Sequence, residues 1–216
     1  MRPVSDLGKL YSSFSYRLRR LRKLYAMAIV VGEPRRSELL AVSVIELDNL
    51  ILSSLRVLTI SSLRAARTAT GHRIVVARKF TDEEEVSAFI LSVLAARTYK
   101  RLQSPVRVPR KEEPTVRDPR ETAKVLGASG ASNLSSLQNA LALNTAVFSD
   151  LGTIRNFYAH RNQDTWRKGR AKAHAMGIPA AKHANEVVTT GLQGRPVSVF
   201  EDWLDDAELF FEEATK

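Results

Sequence analysis

The stretch SELLAVSVIELDNLILSSLRVLTI, residues 37–60, decides the fold class. A helix drawn through it is apolar almost all round, with Leu39, Leu40, Val42, Ile45, Leu50, Ile51, Leu55, Leu58 and Ile60. Such a helix belongs at the centre of a core, and its expected span is residues 37–67. Glu46, Asp48 and Arg56 inside the same run argue against a membrane span. Upstream, Leu7, Leu10, Phe14, Leu18, Leu21, Leu24 and Tyr25 fall on one face of a helix over residues 5–31, closed by Gly32 and Pro34. Downstream, residues 71–80 read as a short strand or an irregular connection. Thr81-Asp82-Glu83-Glu84 then reads as a capping box that opens a helix over residues 81–101.

Residues 102–132 read as a linker or insertion. Pro105, Pro109, Pro114 and Pro119 alternate there with Arg107, Arg110, Lys111 and Arg117, the pattern of a basic, extended arm. The arm either touches a phosphate backbone or is simply solvated. Gly127-Ala128-Ser129-Gly130 is a further break and no phosphate loop, because it lacks a Gly-Lys-Ser/Thr ending. A helical stretch over residues 133–163 follows, interrupted at Asp150-Leu151-Gly152. Residues 165–216 form a C-terminal extension: two basic, Ala-rich helices, then an acidic helix opened by a capping box at Ser198 and Glu201. The expectation is one all-α domain over residues 1–216, a helical bundle with a Pro-rich basic insertion and a C-terminal acidic helix.

Lysine and arginine number 33 against 23 aspartates and glutamates, a formal charge of +10 that favours polyanions. The charge is polarised. Residues 1–23 hold seven bases and one acid, and residues 201–216 hold seven acids and one base. Either the amino-terminal helix faces nucleic acid, with Arg17, Arg20 and Lys23 as contacts beside Arg107, Arg110 and Lys111, or the two terminal helices pair. A DNA-binding regulator has only this charge in its favour. Without cysteine there are no disulfides, thiolate nucleophiles or Cys-ligated zinc. No signal-peptide pattern is evident, so a cytoplasmic location is expected.

The concrete chemistry lies in Ile154-Arg155-Asn156-Phe157-Tyr158-Ala159-His160-Arg161-Asn162. Cleaving RNA through its 2′-hydroxyl needs a base, an acid and charge stabilisation at phosphorus. His160 suits general acid–base work near neutrality, and Arg155 suits a grip on the phosphate. Asn156, four residues before His160, shares its helix face and can orient the imidazole or bind the sugar. His174 and His183 have no acidic partner at ligand spacing, so no metal site and no cofactor is expected. Arg155 and His160 would sit about 140° apart on a straight helix. Either the helix begins inside the motif, or the site is assembled from two copies.

Arg-x4-His with Asn after the arginine resembles the signature of the HEPN superfamily, carried here by Arg155, Asn156 and His160. The resemblance implies an all-α, metal-independent endoribonuclease of a toxin–antitoxin or anti-phage defence system, working on RNA as a homodimer with an antitoxin or sensor partner. It also implies supporting polar residues: Glu46, Asn49 and Arg56, aligned with Ser53 along the core helix, and Arg161. Those core-helix residues otherwise form an internal network or a partly exposed face. In one branch of the family a partner nucleotidyltransferase modifies a tyrosine two residues after the histidine. That position is Asn162 here. The alternative function is a non-catalytic HEPN-like scaffold that binds RNA or protein. The motif would then be structural, with a helix-start histidine bonded within the bundle and Arg155 paired to a carboxylate.

Overall fold

The computed structural model describes residues 2–191 and 196–216, and every regular element among them is helical. The α-helices are α1 Leu7–Val30, α2 Arg35–Leu63, α3 Glu83–Leu94, α4 Ala96–Arg101, α5 Pro119–Ser129, α6 Leu134–Ala142, α7 Val147–His160, α8 Gln163–Ala175, α9 Ala184–Thr189 and α10 Val199–Ala214. The all-α expectation holds. No helix among the described residues is long and apolar enough to cross a membrane. Residues 71–80 are irregular, tied down by isolated bridging pairs such as Arg67 with Arg73.

The chain forms two compact units. The first comprises residues 1–13, 52–144 and 210–216. Its centre is the second half of α2, where every residue from Val57 to Leu63 is buried. The polar members of that run are satisfied locally. Thr59 donates to the Leu55 carbonyl, Ser61 accepts from the Val4 amide, and Ser62 accepts from Asn133. A helix buried on all sides keeps hydroxyls only on such terms.

The Pro-rich segment departs from the expected solvated arm, because three residues bind it to this unit. Val108 packs on Ala88 and Leu91 of α3, and Val116 is likewise buried. Glu113 accepts two hydrogen bonds from Arg56, at 2.7 and 3.0 Å, and a third from Ser87. Its second half is not linker at all but α5, opened by a true capping box between Asp118 and Glu121 and closed by Gly130 in the left-handed region at φ 66°. The expected cap at Thr81 is shifted by one residue. Asp82 is the N-cap and accepts from the Glu85 amide, while Glu85 reaches back to the Thr81 amide.

The second unit comprises residues 14–51 and 145–209. In its part of α2, Leu40, Val44, Leu47 and Ile51 are buried while Val42 is exposed, so here the helix is amphipathic. One sequence-level alternative resolves within this unit, and one expectation holds. Arg22 pairs with Asp205 and Glu208 at 2.6 and 3.0 Å, so the basic amino-terminal and acidic carboxy-terminal helices do meet. The box at Ser198 and Glu201 opens α10 as expected.

The stretch expected as one helical run over residues 133–163 is two helices. The chain breaks at residues 143–146, and Asp150-Leu151-Gly152 lies inside α7. Asp206 supplies the missing helix start: its carboxylate accepts the Ala146 and Val147 amides at 2.7 and 3.2 Å. A carboxylate from a distant segment there does the work of a local cap.

Candidate active site

Helix α7 buries one stripe, Val147, Leu151, Ile154 and Tyr158, at spacings of four, three and four. That stripe fixes where the motif residues point. Arg155 follows Ile154 at the stripe's margin and is half-buried. Its Nε lies 3.2 Å from Asp48 Oδ2 on α2, an ion pair in which the N–H is not aimed well enough for a hydrogen bond. Asn156 and His160, one turn apart, share the opposite, exposed face. Since α7 starts at Val147, the helix does not begin inside the motif. The angular separation of Arg155 and His160 is therefore real.

His160 ends α7. Arg161 follows in the left-handed region at φ 46°, and Asn162 opens α8 by accepting the Thr165 amide at 2.9 Å. The residue standing where some relatives of the resembled family carry a tyrosine is thus a helix cap. This reversal folds α8 back along α7 and creates an open cleft of about 570 Å³. Thr153, Asn156 and His160 line it from one helix, and Thr165, Lys168 and Lys172 from the other. Asn156 and His160 share this space without a hydrogen bond between their side chains. Asn156 is the link to Arg155, whose Nη1 donates to Asn156 Oδ1 at a long 3.5 Å.

Electrostatically, the cleft pairs an exposed imidazole with two ammonium groups. Lys172 is anchored to Asp150 at 3.1 Å, and Lys168 reaches Asp164 at 2.7 Å near the surface. Such a wall can hold a phosphate, although lysine supplies a point charge where arginine would supply a fork. Tyr158 faces away from the cleft. Its hydroxyl donates to Asn185 Oδ1 at 2.8 Å, and Asn185 donates in turn to Ser37. Burial pushes the Tyr158 phenol well above its ordinary range, so it stays neutral at any working pH. Arg161 lines a separate cavity with Tyr158 and Asn185 and does not reach the His160 cleft.

The other candidates are dispersed. Glu46, exposed, lies 3.9 Å from Arg17; Asn49 is exposed; Arg56 belongs to the Glu113 clasp in the first unit. An internal Glu46–Asn49–Arg56 network does not form, because each side chain takes a different surrounding. The α2 residue that meets the motif is Asp48, which sequence reasoning used only against a membrane span. Arg17, Arg20 and Lys23 do come together, rimming a groove floored by Leu24, Met27 and Leu50. Arg107 is committed to Asp82 at 2.9 Å, while Arg110 and Lys111 stand exposed on a single 3₁₀ turn. Lys168 and Lys172 were also missed, although their i, i+4 spacing directly after the motif signalled a shared face. No group of three or more His, Cys, Asp or Glu side chains suited to a metal ion occurs among the described residues. No family model, curated protein or solved structure matches this chain.

Proposed function

We propose that this chain is a metal-independent endoribonuclease of the HEPN type, an RNA-cleaving toxin or defence effector of the prokaryotic cytoplasm held in check or triggered by an antitoxin or sensor protein. The observation that carries the reading is the cleft in which Asn156 and His160 face Lys168 and Lys172 across the α7–α8 reversal. His160 removes the 2′-hydroxyl proton or protonates the departing 5′-oxygen, and Asn156 positions the ribose or the imidazole. The lysines hold the phosphate. Arg155 and His160 leave α7 in different directions, so the Arg155 that joins this chemistry comes from a second copy and leaves its own Asp48 to do so, with two Arg155–Asn156–His160 sets meeting in a homodimer.

The test is cleavage of a labelled RNA by the purified chain in EDTA. His160→Ala and Arg155→Ala each abolish cutting, and mixing the two inactive variants restores part of it, since a mixed dimer carries one intact composite site. Loss of wild-type activity in EDTA overturns the proposal.

A second reading is favoured by the Arg155–Asp48 pair itself, which occupies the guanidinium structurally. It is a non-catalytic HEPN-like scaffold that binds RNA or a protein. Equal growth and equal RNA integrity in cells expressing wild type and His160→Ala would support it.

A further inference from the structure

Helix α8 has a second, unassigned face. Residues 163–175 carry Arg167, Lys168, Arg170 and Lys172 against one acid, Asp164, with His174 beside them. Lys168 and Lys172 turn into the His160 cleft. On the other side, Trp166, Arg167, Arg170 and His174 line an open groove of about 810 Å³. Ala171 borders both spaces, so one helix separates them by a single small-residue ridge. Arg170 and His174 have no ion-pair partner among the described residues. Arg167 is 80% exposed and its only ion-pair partner among the described residues is Asp164, which also takes Lys168, so this exposed cluster is weak and screened by salt. Trp166 is half-buried and held in place by Phe157, with ring centroids 5.3 Å apart.

We infer that α8 is a rail for single-stranded RNA, resting on the endoribonuclease reading of the adjoining cleft. The backbone runs along Arg167, Arg170 and His174 and crosses the ridge at Ala171 to bring a phosphodiester to His160. Trp166 offers a ring edge or face for a base. Cations flanking an anchored aromatic are what an unpaired strand requires, because phosphates supply a repeated charge and every base has a stackable face. An acidic peptide would use the cations and leave the tryptophan without a role. The groove adjoins a second cationic cleft across the Ala171 ridge, a placement that likewise suits a chain of phosphates.

The rail is tested by fluorescence anisotropy with a labelled single-stranded oligouridylate in the His160→Ala background, where the probe survives. Arg167→Gln/Arg170→Gln weakens binding at least tenfold at low salt. It also lowers the slope of log K against log salt by about 1.4, the release expected from two phosphate contacts on a single strand. Trp166→Phe binds within threefold of the parent, and Trp166→Ala falls further. Arg120→Gln, 80% exposed in the first unit, is the control and leaves binding unchanged. Helical circular dichroism of each variant confirms folding.

The rail is overturned if the double variant binds like its parent, if Arg120→Gln loses as much, or if polyglutamate competes as well as RNA. Its failure is separable from that of the enzyme. A chain that binds through α8 yet never cuts keeps the rail and loses the nuclease, whereas one that still cuts, with unchanged binding after Arg167→Gln/Arg170→Gln, does the reverse.

Discussion

Arg155 and Asp48 form an ion pair at 3.2 Å with side chains 29% and 15% exposed, joining α7 to α2 within one unit. The pair orients the motif: with the guanidinium held against α2, the face bearing Asn156 and His160 is left to the cleft.

Breaking that pair leaves a half-buried charge without compensation. Asp48→Ala is expected to destabilise the fold by about 2 kcal/mol, in the range for hydrogen bonds and pairs involving charged groups. Arg155→Ala in the Asp48→Ala background should cost less than in the wild type. Urea midpoints of the four proteins in this cycle measure the coupling, and additive losses would refute it.

Tyr158 sits two residues from His160 but is structural. Tyr158→Phe removes the hydroxyl that donates to Asn185 and leaves Asn185 Oδ1 short of a donor, a cost of about 1–3 kcal/mol. Thermal melting should show the loss, while RNA cleavage at a permissive temperature stays at the wild-type rate. A tyrosine that took part in the chemistry would give the opposite pattern.

Glu113 clasps the Pro-rich segment. Its side chain is 4% exposed and neutralises Arg56, whose side chain is 15% exposed, so Glu113→Ala leaves a largely covered guanidinium unpaired and is expected to cost about 3 kcal/mol. Ser87→Ala, which removes one donor from the same carboxylate, should cost about 1 kcal/mol. Limited proteolysis should cut the 102–118 segment of Glu113→Ala long before that of the wild type.

The start of α3 is expected to be acid-sensitive. Asp82 is held below the ordinary carboxylate range, first by the Glu85 amide, and Glu85 is lowered first by the Thr81 amide. A depressed carboxylate stabilises the fold above its unfolded pKa, and that contribution disappears as pH falls through the folded pKa. Carboxyl NMR should therefore show both groups titrating below free aspartate and glutamate, with the α3 amides losing exchange protection over the same acidic window. Asp82→Asn keeps a cap acceptor and should remove the Asp82 part of this dependence.

The helices were legible where periodicity was strong. Leu7, Phe14 and Leu18 marked α1, and Leu55, Leu58 and Ile60 marked the buried half of α2. Boundaries failed where distant groups intervene. Asp206 starts α7 across some sixty residues of sequence, and no local cap advertised it. The Pro-rich segment read as solvated because Val108, Glu113 and Val116 are isolated among cations, and only α2 and α3 give them a surface.

By itself the sequence determined the helical class, the polarised charge of the two chain ends, and the angle separating Arg155 from His160. All three follow from side-chain identity and a fixed 100° step per residue. Only the tertiary structure decided what each side of that angle faces. Asp48 takes Arg155 because the fold brings α2 within ion-pair reach of α7. His160 shares a cleft with Lys168 and Lys172 because Asn162 caps a helix that turns back. Periodicity fixes directions along one helix, but which helix lies in a given direction depends on contacts made far away in the chain.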